Sequence, residues 1–292
     1  MSKTVRGCAW LVGCAGAALA LAACTPSIAP EAASPEPTAE APVTEIATTA
    51  PTSPGDDEPT VPPIDPDAVA AAFAGIEPGS WGMDVEGVVS TQDSDGIALT
   101  LDACGGPNGS GYDRDLIEGL IARDIPATLF LNQRWIEANP ETARALAENP
   151  LFELGNHGTA HRPLSVTGES AYGIPGTGSV AEVVAEVWGN RLALTELTGA
   201  PPRLFRSGTA HYDEVAVRIV NELGEAVLGF SVNADGGATL SADAVRREVA
   251  AAGPGDIVIA HMNHPGGGTA PGILAGVDEQ LARGASFVHL ND

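Results

Sequence analysis

The chain is almost without lysine: Lys3 is the single one, and every other basic residue is arginine. With 14 basic against 38 acidic residues, the formal charge is −24. That balance excludes a nucleic-acid binder, because no basic patch is available to neutralise phosphates. It also disfavours a peripheral grip on an anionic membrane surface. The scarcity of lysine itself reads as codon bias. Cysteine is nearly as scarce. Cys8, Cys14 and Cys24 fall in the first two dozen residues and leave Cys104 alone in the body of the chain. No disulfide can therefore form within that body, and the cysteine pattern does not set the redox compartment. A long membrane-spanning run is lacking too: the apolar stretch from Cys8 to Ala23 is too short and too rich in alanine and glycine.

That stretch follows Lys3 and Arg6 and ends Leu21-Ala22-Ala23-Cys24. A short positive region, an apolar run and a small-residue terminus fit a signal peptide over residues 1–23. The terminus resembles a bacterial lipobox, in which Cys24 is acylated. The expectation is an exported protein anchored by lipid to the outer face of the bacterial cytoplasmic membrane. Residues 24–66 then change character: from Thr25 on they hold 11 of the 23 prolines and no aromatic or basic residue. Such a composition buries too little apolar surface to offset its ordering entropy, so it reads as a disordered tether rich in Pro, Ala, Thr and Glu. Extended, it would reach on the order of 100 Å.

Residues 67–95 read as a lead-in segment with a short helix over 67–75. From 96 to 292, short apolar runs alternate with amphipathic stretches. Strands are expected at 97–101, 127–131, 151–154, 203–205, 226–231, 256–260 and 286–290. Helices are expected at 114–123, 140–148, 180–197, 213–223, 242–252 and 271–283. Pro140 and the Ser241/Asp243 pair suit helix starts. This alternation predicts an α/β fold with a parallel sheet, open or closed into a barrel. Ligands of such folds sit at the carboxyl ends of the strands.

Polar residues gather at those ends. Asp102, Cys104 and two glycines follow the first strand, and Asn156, His157 and His161 follow the third. Arg206 to Tyr212 follow the fourth, Asn233 and Asp235 the fifth, and His261, Asn263 and His264 the sixth. Five of the six histidines lie at strand ends. The four-residue spacing of His157 and His161 suits two ligands of one divalent ion. Asp102 reads as a turn cap, a ligand or a base. His261, otherwise an ordinary core histidine, has Asp235 at the adjoining strand end to orient it as a general acid. Arg206 could pair with a carboxylate. Gly266-Gly267-Gly268 lacks the Lys-Ser/Thr of a phosphate loop and reads as a plain loop.

In order, Thr-Leu-Asp-Ala at 100–103, Gly-Asn-His-x-x-x-His at 155–161, Phe-Arg-x-Gly at 205–208, Asp235 and Ile-x-His at 259–261 resemble the polysaccharide deacetylases with a NodB homology domain, carbohydrate esterase family 4. The resemblance runs from about Gly96 to the C-terminus. It implies a distorted (β/α) barrel of about seven parallel strands. It also implies a divalent ion, zinc foremost with cobalt or another ion as alternatives, bound by an aspartate with His157 and His161. The implied reaction is metal-dependent hydrolysis of N-acetyl groups on a polysaccharide such as peptidoglycan, at carbon–nitrogen bonds other than peptide bonds. Asp102 is implied as base or ligand, His261 as acid, and Asp235 and Arg206 as groups that tune them. A metal polarises the amide carbonyl and acidifies a bound water; N–H groups near Tyr212 would help hold the oxyanion.

Two departures stand out. The family's adjacent aspartate pair is here Asp102-Ala103, so either Asp102 takes the metal or another group does while Asp102 stays the base. Cys104, two residues on and on the same side of a continuing strand, is one such group; a small buried cysteine is the alternative. Arg206-Ser207-Gly208-Thr209 replaces the usual Arg-x-Pro-Tyr, with Tyr212 further on. The competing functions are a hydrolase of a smaller amide or ester, and a glycan-binding surface lipoprotein with a degenerate site.

Overall fold

The structure, a computed structural model, describes residues 63–290. The signal-peptide segment, Cys24 and the tether up to residue 62 lie outside the described residues. The body opens with α1 (Pro66–Ala72), whose N-cap Asp65 accepts from the amides of Asp67 and Ala68. Two short strands follow, β1 (Trp81–Gly82) and β2 (Val88–Val89). The alternating region then runs β3 (Ile97–Ala103), α2 (Arg114–Ile121), β4 (Ala127–Leu131), α3 (Gln133–Ala138), α4 (Pro140–Ala147) and β5 (Phe152–Asn156). A small hairpin, β6 (Ser170–Ala171) and β7 (Ile174–Pro175), precedes the long helix α5 (Val180–Thr198). The last part comprises β8 (Leu204–Phe205), β9 (Tyr212–Asp213), α6 (Glu214–Glu222), β10 (Ala226–Leu228), β11 (Val232–Asn233), α7 (Ala242–Ala251), β12 (Ile257–His261), α8 (Thr269–Ala282) and β13 (Phe287–Val288).

The main sheet has the order β11-β12-β3-β4-β5-β8-β10-β2, all pairs parallel, with β13 added beside β3. Its curvature follows from connectivity. β10 and β11 stand six strands apart along the sheet, about 29 Å if it were flat. Yet four residue steps link Leu228 to Val232, a reach of about 14 Å at most. The sheet must therefore curl until β10 approaches β11. This is the distorted (β/α) barrel expected, with eight strands along the path where about seven were expected.

The strands form where the sequence is apolar on both sides. Every residue of β3 and β4 is buried, as befits parallel strands covered on both faces. One core gathers Leu99, Leu101, Leu129, Leu131, Trp135 and Val258 with the inner faces of α2, α7 and α8. A second joins Phe205, Tyr212, Val217, Val220 and Val227 with Val183 and Val187 of α5. The expected strand at 226–231 is two strands: β10 pairs with β8 and β2, and β11 pairs with β12. Gly229 marks the change of partner, its N–H donating to Val89 O. The helix α3 was not expected. Its six residues offer no repeating apolar face beyond Trp135, and it stops at Asn139 just before Pro140 starts α4.

Candidate active site

β3, β5, β12 and the loop after β8 deliver their polar residues to one mouth of the barrel, around a cavity of about 790 Å³. Asp102, Cys104, His161, Ser207 and His261 line it. Asp102 and His261 are register partners on adjacent strands, so the β3–β12 pairing alone sets them side by side.

Asp102 is 3 % exposed. Its Oδ1 accepts from Arg206 Nη1 at 2.8 Å, and its Oδ2 lies 3.6 Å from His157 Nε2. Burial pushes its carboxyl up, but the positive Arg206, with His157 and His261 behind it, holds the net result below the ordinary value. Arg206 is itself wholly buried. The guanidinium is fixed by donation to Thr100 Oγ1 and Gly229 O, each at 2.8 Å, and stacks 4.3 Å from the centre of the Phe130 ring.

His157 is also buried, and its Nδ1 lies 2.8 Å from Arg206 O. A carbonyl only accepts, so Nδ1 carries a proton, and in the neutral ring Nε2 presents a lone pair; burial works to lower the imidazole value, but Asp102 and Cys104 raise the net result above the ordinary one. Nε2 faces Cys104 Sγ at 4.0 Å. The His161 ring stands edge-on to His157, centroids 4.9 Å apart. His161 adopts φ +60°, a left-handed conformation costly for a residue with a Cβ. Gly208 lies against it: a Cβ there would sit 2.3 Å from the His161 carbonyl carbon, so only glycine lets the two loops touch.

Glu186 of α5 holds the His157–His161 loop in place. Its buried carboxylate accepts from Thr159 Oγ1 at 2.7 Å, from Ala160 N at 3.0 Å and from Arg162 N at 3.2 Å. Asn132, the N-cap of α3, donates from its amide to His157 O and Gly158 O. Neither support was foreseen from sequence; a helical glutamate ordinarily reads as part of a solvated face. Glu186→Ala is expected to cost about 2–3 kcal/mol in urea unfolding, because it strips several donors of a charged acceptor. It should also weaken metal uptake about tenfold, measured by competition with a chelating dye.

Across the cavity, His261 Nδ1 lies 2.9 Å from Asp235 Oδ1. Asp235 is fully buried and is pinned in turn by the His261 N–H at 2.8 Å and by Thr269 Oγ1 at 3.0 Å. Burial is the largest single influence and works to lower the His261 value, but the hydrogen bond and charge of Asp235 together with the Cys104 thiol outweigh it, and the imidazole is raised well above its ordinary value.

The donor set suits a divalent ion. Ligand atoms of Cys104, His157 and His161 lie within 4.8 Å of one another. Nitrogen and sulfur are the donors zinc prefers, and the His157 tautomer turns its lone pair toward the group. Cys104 belongs to this cluster; burial opposes ionisation of its thiol, but hydrogen bonds with His157, His161 and His261 bring it well below its ordinary value.

Tyr212 does not serve the cavity. It is fully buried, its hydroxyl accepts from Ser207 N at 3.0 Å and donates to Leu228 O at 3.2 Å, and burial pushes it up to about 12. Its backbone belongs to the β1–β9 pairing. Ser207, Gly208, Thr209 and Ala210, which precede Tyr212, line the cavity wall instead. A further aromatic, Tyr172, reaches the rim from the β6–β7 hairpin. Tyr172 and Gly173 both take positive φ, as a tight two-residue hairpin turn requires. The ring is 77 % exposed and meets His211 edge-on at 5.2 Å.

A curled parallel sheet thus carries a buried carboxylate, two histidines and a second Asp–His pair at its strand ends. Residues 90–228 match the family model for polysaccharide deacetylase. Solved structures share the fold. A pseudoenzyme of carbohydrate esterase family 4 from Bacillus anthracis is 19 % identical at a TM-score of 0.59, over 71 % of this chain and 69 % of that one. A peptidoglycan N-acetylglucosamine deacetylase is 20 % identical at 0.56, over 70 % and 91 %. A family 4 carbohydrate esterase from Streptomyces lividans with bound acetate is 21 % identical at 0.54, over 67 % and 92 %. No curated protein matches the chain.

Proposed function

We propose that the protein is a metal-dependent deacetylase that hydrolyses N-acetyl groups on a cell-wall or surface polysaccharide. The observation that carries the reading is the pairing of two differently held groups across one cavity: Asp102 clamped by Arg206, and His261 clamped by Asp235. An amide resists hydrolysis because its carbonyl is a poor electrophile and its nitrogen a poor leaving group. A divalent ion, when bound by His157 and His161, supplies Lewis-acid polarisation and a more acidic water. The chain's own residues do the rest. Asp102, kept ionised by Arg206, takes a proton from the attacking water. His261, kept protonated by Asp235, gives one to the departing amine. The neighbouring deacetylase named for peptidoglycan makes that polymer the first substrate to try. Acylation of Cys24 would hold the enzyme at the outer face of the membrane, with zinc the first metal to test.

Tyr172 offers an exposed ring face beside the cavity for a sugar of the polymer. Tyr172→Ala is expected to raise KM for N-acetylglucosamine oligomers about two- to tenfold with kcat unchanged, the mark of lost uniform binding.

The deciding experiment is acetate release from peptidoglycan and N-acetylglucosamine oligomers, with chelator and with zinc or cobalt restored. Release that stops with chelator and returns with metal supports the reading. Binding of polysaccharide without release would replace it with a glycan-binding lipoprotein, and release from small acetylated compounds alone with a small-amide hydrolase.

A further inference from the structure

We propose that the Cys104 thiolate is a direct ligand of the metal ion, giving a Cys-His-His donor set and leaving Asp102 outside it. The inference deepens the metal-dependent reading above and rests on it.

Asp102 and Cys104 both face His157 Nε2, so they compete for the same place. Their surroundings differ. Asp102 Oδ1 is already committed to Arg206, whose guanidinium is locked to Thr100 and Gly229 and cannot follow if the carboxylate swings away. Drawing Asp102 away from Arg206 would break a buried ion pair, which is strongly unfavourable, and its other oxygen, Oδ2, is not among the donor atoms that converge within 4.8 Å. Cys104 is held by no ion pair; its thiol meets only the imidazoles of His157, His161 and His261. It follows β3 at the cavity edge, on the same side as Asp102, and its sulfur points at the His157 lone pair. The chain turns sharply after it: Gly105 and Gly106 take φ +67° and +76°, and Gly105 N donates to Gly109 O at 2.9 Å. A Cβ on Gly105 would sit 2.6 Å from Trp135 N, so the turn that presents the sulfur requires glycine. Cys104 O also accepts from Arg134 Nη2 at 3.2 Å, which fixes the peptide behind the side chain.

The distances suit the role. A tetrahedral zinc site with bonds of about 2.3 Å to sulfur and 2.0–2.1 Å to nitrogen places its donors about 3.3–3.6 Å apart. The three donor atoms here lie within 4.8 Å of one another, so modest side-chain rotation closes the set. The missing carboxylate of the Asp102-Ala103 pair is thus replaced in function by a softer donor. A thiolate shifts preference toward zinc and cobalt and away from magnesium and manganese.

The test uses the full chain, stripped of metal and loaded with one equivalent of cobalt(II). A sulfur-to-cobalt charge-transfer band in the near ultraviolet is expected in the wild type and absent in Cys104→Ser. Zinc-edge X-ray absorption should show a sulfur neighbour at about 2.3 Å. In Cys104→Asp, a carboxylate able to keep the ion, zinc should remain bound with that neighbour lost. Circular dichroism of each variant checks folding. Stoichiometric cobalt without the band, or a spectrum unchanged by Cys104→Ser, overturns the thiolate ligand and leaves the metal-dependent reading standing. No metal bound by the wild type overturns both.

Discussion

His261→Ala is expected to lower kcat about 10²- to 10⁴-fold, the range for a positioned general acid, while bound metal stays at wild-type stoichiometry. The two readouts separate an acid from a ligand. His261 lies outside the Cys104–His157–His161 group and, although it meets the Cys104 thiol, is held by Asp235, so its loss should leave the three donors in place. Loss of metal together with activity would move His261 into the ligand set and end its assignment as the acid. Asp235 sharpens the test through pH. Its hydrogen bond and charge, with the Cys104 thiol beside them, raise the imidazole well above the ordinary value against burial. A group acting as an acid is competent below its pKa, so activity should fall as pH rises through that elevated value. Asp235→Asn removes the anion and should move the alkaline limb of kcat toward lower pH. A limb that does not move would assign it to another group.

The sequence makes the catalytic geography readable because parallel α/β folds put function at strand ends. The apolar run 97–101 is a strand, and its end is where Asp102 stands. The apolar 256–260 run is β12, and its pairing with β3 sets His261 opposite Asp102. What was illegible depends on contacts between distant segments. Glu186 lies mid-helix, where local pattern cannot tell a loop anchor from a solvated face. The split of 226–231 into β10 and β11 is decided by which strands stand beside each half, not by its own apolar run. The three short pairs β1–β9, β6–β7 and β10–β2 have two residues per partner, too few to leave a periodic signature. Tyr212 shows the reverse error. Its nearness to Arg206 in sequence suggested the cavity, yet the chain turns through Gly208 and Ala210, the latter at φ +53°, and carries Tyr212 into the core.

Arg206→Met is expected to destabilise the fold by about 3–5 kcal/mol near pH 7, because it leaves the Asp102 carboxylate buried without its cation. Methionine restores most of the volume beside Phe130, so the loss is chiefly electrostatic. The sign of the pH dependence follows from Asp102. Its folded value is depressed, so in the wild type it contributes stability above its unfolded value, and that contribution is lost as pH falls through the folded one. Without Arg206, burial dominates and raises the folded value instead. The penalty should then be greatest where Asp102 is forced to ionise and should shrink as acid protonates it. Urea midpoints at about pH 7 and pH 5 should therefore lie further apart in Arg206→Met than in the wild type. Adding Asp102→Asn supplies the neutral isostere, and the double variant should recover part of the loss at neutral pH. Penalties that simply add would mean the pair is not coupled, and that Thr100, Gly229 and Phe130 alone hold the guanidinium. In that case Asp102 is ionised by its other neighbours, His157 and His261, and its role as base would depend on their charge rather than on Arg206.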